Sequence, residues 1–178
     1  MKNHLVSGIV LAVAAAASVL LSDVLGLDLV DVTVLGVALG AALVVISDRS
    51  VAGRLVGFGL GVVVAWFAYG LRAGLLPDSD TGRAVAFAAT FVLVGVIAAV
   101  SSGRLPMWSL LIGVAAMTGA YEAAFGANTP LFTSESVVAL TSVLLTSLVG
   151  FVAATLVAGP RTDEANAPQY RDMEEARA

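Results

Sequence analysis

Few side chains in this sequence can do chemistry. Those that can are a handful of arginines, one glutamate next to apolar sequence, and glycines at helical intervals. The densest set lies in Ser47–Gly61, Ser-Asp-Arg-Ser-Val-Ala-Gly-Arg-Leu-Val-Gly-Phe-Gly-Leu-Gly. Arg49 and Arg54 stand at its mouth, and Arg104 marks a second basic turn further along. Arginines gathered at the mouth of a helical bundle raise the local concentration of anions. Their plainer role is to orient the chain and meet lipid headgroups. Arg54 is the strongest candidate for an anion path, because it falls in the first turn of a helix beside small residues. Buried there, it needs an anion or a carboxylate as partner, and Asp48 is the nearest in sequence. Glu122 follows Tyr121 and is the acid nearest to apolar sequence. A carboxylate at membrane depth points to proton or substrate coupling, unless it reaches the headgroups from the helix end.

The glycines carry a different capacity. Gly53, Gly57 and Gly61 are spaced four apart and share one helix face. Gly36 and Gly40 repeat the spacing, and Gly150 continues through Ala154 and Ala158. Such stripes let helix backbones approach closely, either within one chain or at a seam between copies. Gly59 lies off the stripe. The hydroxyls Ser136, Thr141, Ser142, Thr146, Ser147 and Thr155 crowd the last apolar run. They serve as hydrogen-bond donors to helix carbonyls or, less economically, as a polar lining.

Composition removes several classes of function. The 178 residues are 59% hydrophobic with a mean hydropathy of +0.98. Only 12% are charged, about half of what soluble domains carry. Lipid must solvate much of this surface, so a bilayer is the first partner expected. With no cysteine and a single histidine, His4, disulfides, thiol catalysis and Cys/His metal sites are excluded. No basic patch suggests nucleic acid. No nucleophile with a base, phosphate loop or metal cluster is visible, so neither an enzyme nor a cofactor is expected.

The elements that must position these residues are six uncharged apolar runs: Leu5–Ser22, Val32–Ser47, Leu55–Leu71, Ala84–Gly103, Leu105–Tyr121 and Ser136–Gly159. Each is close to the roughly 17–25 residues of a spanning helix. The first also fits a secretory signal, although its apolar core is longer than usual for one. The expected fold is therefore all-α, a polytopic bundle of six transmembrane helices over residues 1–159. A polar, mostly disordered cytoplasmic tail is expected over 160–178. With the N-terminus cytoplasmic, Lys2, Arg49, Arg54, Arg104, Arg161, Arg171 and Arg177 fall inside and only Arg72 and Arg83 outside. That bias places both termini in the cytoplasm. The turns at Ser47–Arg49 and Ser101–Arg104 each lead into a helix with aromatics near its far end, a weak sign of a repeat.

The order of features resembles the six-helix membrane half of the fusaric-acid-resistance and aromatic-acid-exporter superfamily, including its small stand-alone bacterial relatives. Arg54, Gly57 and Gly61 match part of that family's Arg-Leu-x-Gly-Thr-x-x-Gly pattern, with Phe58 where a hydroxyl is common. Gly150 matches the glycine of the last helix. The resemblance implies paired six-helix halves and the handling of organic anions. The expectation is a multi-pass protein of a prokaryotic plasma membrane that passes small anionic solutes as a homodimer or higher homo-oligomer. The competing expectation is a structural or accessory membrane protein that transports nothing.

Overall fold

The computed structural model describes residues 2–25, 29–46, 48–77 and 79–158. The expected tail, 160–178, lies outside the described residues, as do Asp28, Ser47 and Asp78. Among the described residues the chain is all-helical. The helices are α1 (Lys2–Leu25), α2 (Thr33–Val45), α3 (Val51–Gly74), α4 (Asp80–Val100), α5 (Met107–Ala127) and α6 (Phe132–Ala158), with a 3-10 turn at Thr129–Leu131 leading into α6. Each apolar run lies largely within one helix. Four helices, α3 to α6, are long and apolar enough to cross a membrane; α1 and α2 carry shorter apolar stretches, Leu5–Leu20 and Thr33–Val45.

Local chemistry sets the boundaries. Ser50 caps α3 by accepting from the Gly53 N–H at 3.1 Å, and Ser79 caps α4 by accepting from Gly82 at 3.3 Å. Pro106 precedes α5, where the lack of an N–H costs nothing. The turn before it winds through Ser102 (φ 51°) and Gly103 (φ 79°), a left-handed pair that glycine tolerates best. α3 and α5 run past their apolar stretches, so that Arg72 and Glu122, which follow those stretches in sequence, lie inside the helices. They can do so because each finds an opposite charge.

The helices alternate in direction. The α2–α3 and α4–α5 turns share one end of the bundle, and the α3–α4 and α5–α6 turns share the other. Two parallel pairs hold the interior. In α3 and α5, Phe58, Val62, Ala65 and Tyr69 face Leu110, Val114, Met117, Tyr121 and Phe125, all at three- and four-residue steps on one face. Gly57 meets Ser109, Gly61 meets the Leu110 carbonyl, and Gly113 meets the Phe58 carbonyl. In α2 and α6, Gly36 meets Thr146, Gly40 meets the Ser147 carbonyl, and Gly150 meets Val37. A Cβ at Gly36, Gly40, Gly61, Gly113 or Gly150 would drive the two helices apart, whereas at Gly57 it would displace the Ser109 hydroxyl. Thus Gly36, Gly40, Gly57, Gly61 and Gly150 all serve close packing within the chain, and Gly53 packs on the Arg104 carbonyl. α4 flanks the α3/α5 pair and α1 flanks the α2/α6 pair. Both present apolar side chains outward, among them Ile9 and Val13 of α1 and Phe91 and Val92 of α4.

Candidate functional site

Two polar arrangements stand at opposite ends of the bundle. At the first, the N-terminus of α3 meets the α4–α5 turn. The turn is tied by Ser101, whose Oγ donates to the Ala98 carbonyl at 2.8 Å and accepts from the Leu105 N–H at 3.3 Å. Arg49 and Arg104, from two different turns, line one open depression of about 550 Å³ together with Ser50, Gly53, Ser102 and Gly103. Arg49 lies beside Gly103. Both arginines are exposed, and the ion pairs among the described residues all involve Glu122. Two guanidinium groups at the positive end of a helix form a place where an anion is favoured.

Arg54 belongs to a different arrangement. It is 4% exposed, and its Nη1 donates to the carbonyls of Leu43 and Ile46, the latter at 2.7 Å. Val44 O lies further off, at 3.4 Å. These carbonyls end α2, so the guanidinium acts as a cap supplied by the next helix. Asp48, its expected partner, instead accepts a hydrogen bond from Trp108 Nε1 at 2.9 Å. The physical reason is reach: in apolar surroundings the last carbonyls of α2 need donors, and Arg54 offers them from one turn into α3.

At the opposite end stands Glu122. Its Oε2 accepts from Tyr69 OH at 2.6 Å and from Arg72 Nη1 at 3.0 Å, while Arg83 Nε lies 3.6 Å from Oε1. The side chain of Arg72 is 7% exposed and that of Glu122 is 32% exposed. The Arg72 guanidinium sits 4.4 Å from the Phe125 ring centroid, with Tyr69 and Phe87 at 5.5 and 5.8 Å. One carboxylate thus ties α3, α4 and α5 together. The residues around it, Tyr69 and Arg72 on one face of α3, were not singled out in sequence. Their three-residue spacing, with an acid beside Tyr121 on a neighbouring run, is the signal that points to them.

The expected site residues therefore separate into three places. Arg49 and Arg104 come together, Arg54 turns away to α2, and Glu122 lies at the other end of the bundle. Three of the six hydroxyls of the last apolar run, Thr141, Thr146 and Thr155, donate to carbonyls three or four residues earlier in their own helix, while those of Ser142 and Ser147 make no hydrogen bond. Ser136 instead accepts from Trp66 Nε1 at 3.0 Å and joins α3 to α6. Among the described residues, no group of three or more His, Cys, Asp or Glu is placed to hold a metal. In comparisons with known proteins, no family model, curated protein or solved structure matches this chain.

Proposed function

We propose that this chain is a six-span protein of a prokaryotic plasma membrane, with both termini cytoplasmic, that passes small anionic solutes as a homo-oligomer. The observation that carries the reading is the convergence of Arg49 and Arg104 on one depression at the N-terminus of α3. On the orientation favoured by the arginine count, this depression faces the cytoplasm. The short α2 fits as a span because its backbone ends are provided for. Its 13 residues cover about 20 Å of a hydrocarbon core of roughly 30 Å. Arg54 serves the carbonyls at one end. At the other, Thr33 Oγ1 donates to the Leu29 carbonyl at 2.6 Å, and Ser22 Oγ accepts from the Leu29 N–H at 3.1 Å. The glycine stripes are occupied within the chain, so the seam between copies falls on other faces. The superfamily resemblance supports both the oligomer and the anion.

The test is flux of chloride, nitrate, malate and an aromatic carboxylate into proteoliposomes holding only this protein. Arg49→Ala combined with Arg104→Ala is expected to lower anion flux severalfold, since two charges that concentrate the solute are removed. A second reading, an accessory membrane protein without transport of its own, is favoured by one observation. The two charged residues buried among those described, Arg54 and Arg72, are both engaged by groups of the same chain. Absence of flux from folded protein under any voltage or pH gradient decides for that reading.

A further inference from the structure

A separate cleft lies apart from these arrangements. It opens where the starts of α2 and α6 meet the last turns of α5, and it has a volume of about 430 Å³. Its polar lining is Asp31, Tyr121, Asn128, Ser134 and Glu135; the rest is alanine and valine. No lysine or arginine lines it.

Two atoms of this wall are left without partners. Tyr121 is 1% exposed, and its hydroxyl has no hydrogen bond. Oε2 of Glu135 is likewise buried and unpartnered. The contrast with Glu122, one residue from Tyr121, is direct: that carboxylate has a tyrosine and two arginines around it. Buried polar atoms are costly to leave unsatisfied, and such atoms in a cleft mark where a ligand supplies the missing groups. A carboxylate only accepts, and a phenol oxygen can accept as well. What complements both oxygens is a positively charged N–H donor. The aliphatic remainder of the wall suits a carbon skeleton.

We propose that this cleft binds an organic ammonium group. The Glu135 carboxylate is its counter-charge, the Tyr121 hydroxyl is its second acceptor, and Asp31, exposed at the same cleft, adds to the negative potential that draws it in. The ammonium belongs either to a free primary amine or to the ethanolamine headgroup of a lipid. The proposal stands independently of anion passage, because it rests on residues at the other end of the bundle.

The test is calorimetric titration of butylammonium into the full chain held in phosphatidylglycerol nanodiscs, with empty nanodiscs as blank and sodium at equal ionic strength as control. Saturable binding of butylammonium but not of sodium is expected. Glu135→Gln should weaken it about tenfold or more, as loss of a charge-assisted contact does. Tyr121→Phe keeps the ring and should weaken it about threefold, as loss of one neutral acceptor does. Asp80→Asn, a charge at the same end but away from the cleft, should leave it unchanged. Thermal midpoints without ligand verify that each variant is folded, and Tyr121→Phe carries the test should Glu135→Gln not fold. Adding phosphatidylethanolamine distinguishes the sources: competition identifies the headgroup as occupant, and no competition identifies a free amine. Absence of saturable binding, or equal binding by the wild type and the folded cleft variants, overturns the proposal.

Discussion

The α3/α5 and α2/α6 pairs use one device to different ends. Each is a parallel pair whose backbones meet across glycine, yet only α3/α5 is locked by charge. That pair stacks Tyr69, Tyr121 and Phe125 at centroid distances of 5.2 to 5.9 Å and closes on the Arg72–Glu122 ion pair. The α2/α6 pair buries hydroxyls instead, and Ser142 and Ser147 leave their oxygens without hydrogen bonds. Its charged fastening, Arg54, comes from α3 rather than from either member. The difference teaches that small residues bring helices together, while register and end-closure come from polar groups placed on top of them.

Breaking the lock should have the largest effect. Glu122→Ala leaves the Arg72 guanidinium buried among rings without its carboxylate, and should destabilise the protein by about 3 kcal/mol. Unfolding of the purified protein in mild detergent measures it, and Arg72→Met combined with Glu122→Leu should recover most of the loss. Next come the glycines. Gly40→Ala and Gly61→Ala each place a methyl against a facing backbone carbonyl, and should cost about 2 kcal/mol in the same assay. Gly59→Ala, where a Cβ meets nothing within 4 Å, should be neutral or slightly stabilising. Equal losses at Gly59 and Gly61 would show that helix propensity, not close approach, governs these positions. A smaller loss than at Gly40 or Gly61 is expected at Arg54. Arg54→Met keeps the aliphatic stem and removes the cap of α2, at about 1.5 kcal/mol. An effect on anion flux beyond the loss of folded protein would return Arg54 to the solute path.

The helices were legible because charges interrupt apolar sequence at regular intervals, and their number follows from counting those runs. The faces were legible where glycines recur at four-residue spacing. Partnership was not: nothing in Gly36, Gly40 or Gly150 says that α2 lies along α6 rather than beside α1 or α3. Charges misled in one respect. In sequence Arg72 and Glu122 mark the ends of apolar runs, because an unpaired charge ends a span. Only the fold brings the two together and lets both helices continue. Arg54 shows the same limit, since residue type identifies a donor but not its acceptor. Asp48 was the nearer acid, and the carbonyls of α2 were the nearer need. The cleft at Tyr121 and Glu135 draws on three helices, so no local pattern announces it.

The seam between α2 and α6 has a consequence for how the protein is made. The second helix of the chain has the last as its main neighbour. At roughly 5–20 residues per second, α2 leaves the ribosome on the order of ten seconds before α6 is complete. Throughout that interval its glycine face has no permanent neighbour. The group that closes its carbonyl end, the Arg54 guanidinium, follows Val45 by nine residues. Together with α1, which precedes α2 and packs against it, this clamp is available to the nascent chain well before α6. It closes the end of a short helix before that helix's main neighbour has been made.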